Sequence, residues 1–332
     1  MKAVVVRRYG PPEVVSVEEF PDPVAGPGQV LVRVAATSVN SGDARIRGAR
    51  FPRGFGLPAR LALGLRGPRR PVLGAVYSGT VAALGPDVTG FAVGDRVAGM
   101  TGARMGAHAE LAVVPANRMV ALPEEVTHED AAGILFGGTT ARHFLRDTRV
   151  GMPGARVLVI GGTGAVGSAA VQLAAMAGAE VTAVSSARNA DLARALGASD
   201  VIDHAVTDVT TLGKRFDVIV DTVGVLSPAT GRRLLTEGGA LGLVAADLWQ
   251  TITARGAVRA GSSGERPDDM SALLELVAAG SLRVVRGEPL SLDDIVEAYR
   301  LVDTGHKVGN LVLSLGTARN ADSTSASADQ VS

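Results

Sequence analysis

The sequence predicts an α/β protein in which a β-rich, barrel-like N-terminal domain precedes a doubly wound sheet of six parallel strands. Two observations lead to this prediction. The apolar run 157–160 passes directly into the spacing Gly162-x-Gly164-x-x-Gly167, and a helical pattern follows through Met176. From there to about residue 260, short apolar runs alternate with helical patterns, as in a parallel sheet with helical crossovers.

The first 120 residues contain short apolar or alternating runs separated by turns such as Gly26-Pro27-Gly28. Closely spaced strands with this turn chemistry predict a twisted, barrel-like domain. Helical periodicity appears after about Pro123, over 129–136 and 140–147. The strands predicted before that point are 2–7, 30–36, 79–84, 96–98 and 108–114.

The second half of the chain predicts a complete sheet and a returning segment. Its strands are predicted at 157–160, 181–184, 201–203, 217–220, 240–244 and 257–260, with a helix at 189–196 between two of them. Helices 268–279 and 292–304 precede a last strand, 310–315, which we expect to return to the first domain because the six-stranded sheet is already complete. The predicted units are a substrate domain at 1–123 and a nucleotide domain at 124–266. A segment at 267–316 returns to the first domain, and a disordered tail follows at 317–332.

Each residue of the glycine-rich turn has a physical role in binding a dinucleotide. Gly162 permits a tight turn, Gly164 lets backbone N–H groups approach a pyrophosphate, and Gly167 lets the helix pack against the strand. Thr163 lies in the same turn, and Ala165 and Val166 open a helix whose N-terminus carries partial positive charge. An ordinary glycine turn is the alternative in a chain with 42 glycines, but the strand before and the helix after favour a nucleotide.

The end of the next strand predicts which nucleotide is bound. NAD-binding folds usually place Asp or Glu there, where it accepts hydrogen bonds from the ribose 2′-OH. Here the chain has Ser185, Ser186 and Arg188, whose hydroxyls and guanidinium suit a 2′-phosphate. We therefore expect NADPH to be preferred over NADH by about ten- to hundredfold. Alternatively, the serines cap the following helix and Arg188 is solvated.

Composition excludes several kinds of function. The formal net charge is zero, so no charge excess attracts nucleic acid or an anionic membrane. The 332 residues contain no cysteine, which excludes disulfides, thiolate catalysis and Cys-ligated zinc. A cytoplasmic location is expected, because no apolar run has membrane-spanning length and the first ten residues lack a signal-peptide pattern.

Several separate motifs carry a family resemblance. They are 74–85 (GAVYSGTVAALG), 93–97 (VGDRV) and 161–167 (GGTGAVG), in the order barrel-like domain, nucleotide domain, returning segment. Over about residues 1–316 the chain resembles the medium-chain dehydrogenase/reductase superfamily. It is most similar to the zinc-free quinone oxidoreductase-like and enoyl reductase-like members, through 38–43 (SVNSGD), 139–141 (TTA) and 305–310 (GHKVGN). The resemblance implies a GroES-like catalytic domain, a Rossmann nucleotide domain, a small-molecule substrate and a homodimer formed through strand 257–260.

The chain departs from its zinc-dependent relatives at the metal ligands. Those relatives hold catalytic zinc with the cysteine of Cys-x-x-Asp, the histidine of Gly-His-Glu and a later cysteine. Here the first motif is Asn40-x-x-Asp43 and the second is Gly74-Ala75-Val76. A tetrahedral catalytic zinc needs three protein ligands, so no metal is expected.

Hydride transfer without a strong Lewis acid favours acceptors that are already electrophilic, namely quinones and α,β-unsaturated carbonyls. A hydrogen-bond donor beside the carbonyl oxygen is then sufficient.

Four residues are candidates for the catalytic side of the cleft. Asn40 donates through its amide or bonds its own backbone, and Asp43 orients Arg45 or a hydroxyl or forms an Asx-turn. If the segment is extended, Arg45 and Arg47 face the same side, where they polarise a carbonyl, bind a substrate acid or are solvated. Tyr77 is a donor or acid, or lies in the barrel core.

The resemblance implies four further cofactor contacts. Thr140 matches a threonine that approaches the nicotinamide-side phosphate or ribose. Val244 ends the fifth strand of the nucleotide domain, where backbone groups meet the carboxamide. Lys307 and Asn310 lie by the returning strand, although a lysine at a helix end is often only a partner of the helix dipole.

The leading hypothesis is therefore an NADPH-dependent, zinc-free reductase of quinones or α,β-unsaturated carbonyls. One alternative is an NADP-dependent alcohol or ketone oxidoreductase of a biosynthetic pathway. Another is a non-catalytic NADPH-binding structural or regulatory protein, because a fold alone does not fix function. The resemblance implies that the arginine- and proline-rich stretch 51–71 rims the substrate cleft, where its arginines either attract an acidic substrate or keep an apolar lid soluble. The role of Trp249 stays open.

Overall fold

The structure, a computed structural model, describes residues 1–315. Its strands are β1 (Lys2–Val6), β2 (Val15–Glu19), β3 (Gln29–Val39), β4 (Val76–Leu84), β5 (Arg96–Met100), β6 (Leu111–Pro115), β7 (Met119–Ala121), β8 (Arg156–Ile160), β9 (Glu180–Ser185), β10 (Asp200–Asp203), β11 (Phe216–Asp221), β12 (Leu235–Leu243), β13 (Val258–Ala260) and β14 (Leu311–Ser314). Its α-helices are α1 (Ser41–Gly48), α2 (Gly56–Leu63), α3 (His128–Leu145), α4 (Ala165–Met176), α5 (Ala190–Ala195), α6 (Pro228–Arg233), α7 (Leu248–Thr253), α8 (Pro267–Ala278) and α9 (Ile295–Asp303).

The nucleotide domain is a six-stranded parallel sheet in the order β10-β9-β8-β11-β12-β13. After the exposed Arg156, the central strand β8 is apolar from Val157 to Ile160 because this part is buried on both faces. Val157 and Val159 pack into one hydrophobic cluster, and Leu158 and Ile160 pack into another on the opposite face. This alternation has the period of two residues that a strand requires. The predicted doubly wound sheet is confirmed.

The first domain is an antiparallel sheet in the order β14-β3-β4-β5-β7, with β6 also paired to β3 and a separate β1-β2 hairpin. The long strand β3 pairs with β6 near its beginning and with β14 near its end. Leu311 lies opposite Val39 in this last antiparallel pairing. The terminal strand thus adds to the sheet that contains β3.

The structure differs from the sequence-based prediction in its shorter elements. The short strands β2 and β7 and the short helices α1, α2, α6 and α7 were not predicted, because a few residues carry little periodicity. The two helical patterns at 129–136 and 140–147 form the single helix α3, which runs through Gly137 and Gly138. A Cβ at Gly137 would overlap the Ala165 carbonyl, so this glycine allows α3 to cross close to the start of α4.

Among residues 1–315, no helix combines the length and apolar character needed to span a bilayer. The predicted tail, 317–332, lies outside the described residues.

Candidate cofactor and substrate cleft

A cleft of about 600 Å³ opens at the carboxyl ends of β8, β9, β10 and β11. In the sheet order, β8 lies between β9 and β11, so the chain reverses its direction of travel across the sheet here. Open α/β sheets bind ligands at such a switch point. The opposite wall includes Ser41 at the start of α1, Phe136 in α3 and the segment 305–307. The cleft therefore joins elements of both predicted domains.

The glycine-rich turn forms the floor of the cleft. Thr163, Gly164, Ala165 and Val166 line it, as expected of the residues that approach a pyrophosphate. Gly164 precedes the first residue of α4, so the free N–H groups of the first helical turn lie at the cleft.

Two glycines support the turn from behind, and one role differs from the prediction. The positive φ of +79° that the tight turn requires belongs to Gly161, not to Gly162. Gly162 is needed instead for packing, because a Cβ there would crowd the Ala183 side chain on β9. A Cβ at Gly167 would overlap the Gly161 carbonyl, so this glycine lets α4 approach the turn that follows β8.

The ribose end of the cleft contains the three residues predicted to select the nucleotide. Ser185, Ser186 and Arg188 all line it, and Arg188 is exposed. Neither serine acts as a helix cap: Ser185 Oγ lies 3.3 Å from the Ser186 carbonyl, and Ser186 makes no capping bond. The Ser186 Oγ atom is buried without a hydrogen-bond partner among residues 1–315. Ser185 Oγ is thus engaged within the turn, which leaves the Ser186 hydroxyl and the exposed Arg188 guanidinium as the groups that a ligand could bond.

Sequence reasoning missed several residues of the same wall. Asn189 donates from Nδ2 to Thr163 Oγ1 at 3.4 Å and so ties this end to the glycine-rich turn. His204 and Thr207 follow β10 and also line the cleft. Asp208 is an acid in this wall, and its carboxylate accepts the Thr210 N–H at 2.8 Å. A hydrogen bond from the Thr210 side chain is the main cause of the lowered pKa of Asp208, and the bond from the Thr210 N–H lowers it further.

The returning segment closes the cleft beside the glycine-rich turn. Gly309 donates its N–H to the Thr163 carbonyl at 2.8 Å. Lys307 lines the cleft, half-buried, and its Nζ donates to the Gly309 carbonyl at 2.6 Å. Burial lowers the pKa of Lys307 from 10.5 to about 8. Asn310 requires a correction: its Nδ2 donates to the Val285 carbonyl at 3.1 Å, so it holds the segment in place instead of facing the cleft.

Asn40 directly follows β3 and caps α1; it is next to the cleft-lining Ser41 but is not itself among the described residues that line the cleft. Its Oδ1 accepts the N–H groups of Gly42 and Asp43 at 2.8 and 3.1 Å. The expected bond to its own backbone is therefore present, but it uses only the oxygen of the amide. The Nδ2 group is buried with no hydrogen-bond partner in the described part of the chain. The Nδ2 group is therefore the unsatisfied end of the Asn40 amide.

The expected role of Asp43 in orienting Arg45 is wrong. Asp43 is fully buried, and its Oδ2 accepts the Asn40 N–H at 3.0 Å, which completes a capping box. Burial raises the pKa of this carboxyl, and the nearby His108 opposes that rise. The carboxylate thus supports Asn40 from below.

The expectation that Arg45 and Arg47 share a face is also wrong, because the segment is helical instead of extended. Arg45 is partly buried, which lowers its pKa. Arg47 is completely buried and points into the domain, where its Nη2 lies 2.5 Å from Asp303 Oδ2 and its guanidinium 5.0 Å from the centre of the Tyr299 ring. Arg47 therefore links α1 to α9.

Tyr77 does not face the cleft, which corrects its expected role as donor or acid. It is completely buried in the barrel core among Val32, Val81 and Val97. Its hydroxyl lies 3.4 Å from the Arg118 carbonyl, and burial raises its pKa far above the ordinary value. A phenol in this position supports packing.

Two other expected cofactor contacts lie near the cleft but outside its lining. Thr140 donates to the Phe136 carbonyl at 2.8 Å and lies 3.2 Å from Ser263 Oγ. Val244 follows β12 and donates its N–H to the Asp221 carbonyl at 3.0 Å. Their roles at the nicotinamide stay predictions.

The residues at the zinc-ligand positions do not fit a catalytic zinc. Asn40 and Asp43 are occupied by the capping box, and Ala75 has no donor atom. Within residues 1–315 no group of three His, Cys, Asp or Glu side chains is placed to hold a metal ion. We therefore derive no catalytic step from zinc.

The segment 51–71 contains α2 and contacts the nucleotide domain through one hydrogen bond, from the Leu248 N–H to the Arg53 carbonyl at 2.9 Å. Leu57 and Leu61 of α2 are exposed, as is Trp249 of α7. In the structure of residues 1–315, none of these three residues lines the cleft. The role of the segment at the cleft rim stays a prediction.

Two family models match the chain. Residues 26–124 match "Alcohol dehydrogenase GroES-like domain", and residues 196–313 match "Zinc-binding dehydrogenase". A quinone oxidoreductase of Pseudomonas aeruginosa is 30% identical over 94% of this chain and 99% of its own length. The mitochondrial NAD(P)H oxidoreductase RTN4IP1 of Danio rerio is 30% identical over 87% of this chain and 84% of its own.

A comparison with a solved structure also shows similarity to a quinone oxidoreductase. The quinone oxidoreductase from Coxiella burnetii superposes with a TM-score of 0.84 at 27% identity, covering 95% of this chain and 99% of that one. Both the sequence and the whole fold are therefore similar to those of one enzyme family.

Proposed function

Because this chain belongs to the medium-chain dehydrogenase/reductase superfamily, in its quinone oxidoreductase-like branch, we propose that it reduces quinones or α,β-unsaturated carbonyls with NADPH. Membership makes it an oxidoreductase that uses a nicotinamide cofactor. The preference for NADPH, the class of acceptor and the zinc-free reaction are the proposed part.

Both ends of the cleft contain groups that suit NADPH, and these support the proposed cofactor. At the glycine-rich turn, the N-terminus of α4 and the ammonium of Lys307 offer positive charge to a pyrophosphate. At the ribose end, Ser186 Oγ lacks a partner among the described residues, and Arg188 carries an exposed guanidinium. A 2′-phosphate would accept hydrogen bonds from both groups. When bound, the cofactor supplies a hydride.

The observation that carries the proposed reaction is the Nδ2 group of Asn40. It is buried beside cleft-lining Ser41 and has no acceptor in the described structure. An unsatisfied buried donor costs about 1–3 kcal/mol, so an acceptor from a ligand would be favoured there. The carbonyl oxygen of a quinone or enone gains negative charge as hydride is added, and a fixed amide donor stabilises that charge.

The chemistry of the acceptor follows from the weakness of the Asn40 amide as a hydrogen-bond donor. An amide donor polarises a carbonyl far less than a zinc ion does, so the substrate itself must be electrophilic. Quinones and conjugated enones satisfy this condition, since hydride adds to the ring or to the β-carbon. Water can then protonate the resulting oxyanion or enolate.

The test is NADPH oxidation by the purified chain with a panel of quinones and enones. We expect turnover of at least one class, and a loss of about 10²–10³ in kcat for Asn40→Ala with little change in NADPH affinity. Asn117→Ala, which removes an exposed amide elsewhere, is the matched control. If no acceptor is reduced, or if alcohols are oxidised with NADP instead, the proposal fails.

A homodimer and a cytoplasmic location complete the proposal. Strand β13 pairs only with β12 among the described strands and is an edge of the sheet, so a second copy can extend the sheet there. Sedimentation of the purified chain tests the dimer, and fractionation of cells tests the location.

A further inference from the structure

Beneath Asn40 lies a cluster of buried ionisable side chains that the proposed reaction does not use. It consists of Asp43, Arg47, His108 and Tyr299, all with no solvent exposure. Four of their polar atoms, Asp43 Oδ1, Arg47 Nε, His108 Nδ1 and the Tyr299 hydroxyl, have no hydrogen-bond partner within residues 1–315. Few buried polar groups are left unpaired in folded proteins, so a cluster of them indicates a role beyond packing.

Asp43 controls the orientation of the Asn40 amide from two sides. The Asp43 carboxylate accepts the backbone N–H of Asn40, and the backbone N–H of Asp43 donates to the Asn40 side-chain oxygen. A flipped amide would place its NH₂ group against the N–H donors of Gly42 and Asp43, which is unfavourable. These reciprocal bonds therefore leave Nδ2 as the free end of the amide.

His108 holds the same segment from outside α1. Its Nε2 lies 3.1 Å from the Ser38 carbonyl and 3.9 Å from Asp43 Oδ2. Because a carbonyl only accepts, the hydrogen bond to Ser38 requires Nε2 to carry the proton. Ser38 lies two residues before Asn40 and Asp43 lies three residues after it. The imidazole thus bonds the end of β3 and lies beside the first turn of α1.

The position of His108 depends on a glycine. A Cβ at Gly74 would overlap the His108 ring and backbone, and Gly74 has φ of +94°. Tyr299 packs edge-on against the imidazole at 6.2 Å between ring centres but makes no hydrogen bond to Asp43. His108 is therefore connected to Asn40 through Asp43 and Ser38. Tyr299 packs against His108 but is not part of this connection.

We propose that His108 and Asp43 are positioning residues, which hold the Asn40 amide with its NH₂ group directed at the substrate oxygen. The inference rests on the proposed function, in which Asn40 binds that oxygen. It predicts that changes at His108 reach the reaction only through Asn40.

The first experiment needs no turnover. The side-chain NH₂ signal of Asn40 is identified in a ¹⁵N–¹H correlation spectrum as the signal lost in Asn40→Ala. We expect this signal to shift or broaden in His108→Gln and Asp43→Asn and to stay in place in Tyr299→Phe, which alters the same cluster without touching the link. An unchanged signal in His108→Gln, or an equal shift in Tyr299→Phe, would overturn the proposal.

The second experiment is a double-mutant cycle in the intact enzyme with NADPH and the preferred acceptor. His108→Gln should lower kcat by about ten- to hundredfold while NADPH affinity, measured by fluorescence titration, is unchanged. In the Asn40→Ala background the same substitution should change kcat by less than about twofold. An equal loss in both backgrounds would mean that His108 only supports folding, and the positioning role would be rejected.

The two experiments separate this inference from the proposed function. If no acceptor is reduced but the amide signal responds to His108→Gln, the proposed reaction fails and the positioning role stands. If acceptors are reduced and the signal does not respond to His108→Gln, the proposed reaction stands and the positioning role fails.

Discussion

Gly309 donates its backbone N–H to the carbonyl of Thr163 at 2.8 Å. Through this bond, the segment that returns to the first domain is fixed to the glycine-rich turn of the nucleotide domain. Lys307, two residues earlier, consequently lines the same cleft. The proposed cofactor site thus draws on two distant parts of the chain.

Removal of the Arg188 guanidinium should weaken NADPH binding selectively. We expect Arg188→Ala to lower NADPH affinity by about ten- to hundredfold and to leave NADH affinity nearly unchanged, because only NADPH carries the 2′-phosphate. Fluorescence titration with both nucleotides measures this. Arg194→Ala, which removes an exposed guanidinium paired to Asp191 on α5, is the control. Equal weakening of both nucleotides would contradict a phosphate contact.

Lys307 should make NADPH binding depend on pH. Its pKa of about 8 means that the free protein loses this positive charge as the pH rises through 8. Phosphate binding favours the charged form, so above about pH 8 binding must take up a proton and affinity should fall by up to about tenfold per pH unit. Lys307→Met should flatten the slope, whereas Arg188→Ala should keep it. A steep slope in Lys307→Met would assign the titration to another group.

A methyl group at Gly167 should disrupt the glycine-rich turn. The new Cβ would overlap the Gly161 carbonyl, so helix α4 must move away from β8. We expect Gly167→Ala to lower the free energy of unfolding by about 1–3 kcal/mol and to abolish nucleotide binding. Gly213→Ala adds its methyl group in open space and serves as the control. Urea denaturation and nucleotide titration measure the two effects, and wild-type binding by Gly167→Ala would refute the packing argument.

The buried ion pair between Arg47 and Asp303 should matter for stability. Arg47 is fully buried, and its removal would leave Asp303 with only the exposed Arg50. Arg47→Met should therefore lower the free energy of unfolding by about 3–5 kcal/mol, measured by chemical denaturation. Arg300→Ala breaks an exposed pair with Glu13 and should have almost no effect. Similar losses in the two variants would show that burial of Arg47 is not the cause.

Loss of the Tyr77 hydroxyl should leave the reaction unchanged. The hydroxyl lies in the barrel core, 3.4 Å from its acceptor, and does not reach the cleft. Tyr77→Phe should keep kcat and KM within about twofold and lower the free energy of unfolding by no more than about 1 kcal/mol. A large fall in kcat, with the fold intact by circular dichroism, would restore Tyr77 as a catalytic candidate.

The local pattern of the sequence predicted the elements with the strongest periodicity. The apolar run of β8, the glycine spacing and the alternation that follows gave the parallel sheet, because burial on both faces and close backbone approach impose clear residue patterns. The return of β14 to β3 also followed, since a complete sheet leaves that strand no other partner. The Ser185–Arg188 segment was placed correctly at the cleft because the end of β9 fixes it there.

The sequence by itself determined the fold class, the family and the glycine-rich part of the cleft, because these depend on local spacing. Only the tertiary structure decided which polar residues face the cleft. Tyr77 and Arg47 turn inward and Asn310 bonds to Val285, while His108 meets Asp43 from 65 positions away in the chain. The direction of a side chain and the identity of its buried neighbours depend on contacts between distant segments, and no local pattern encodes them.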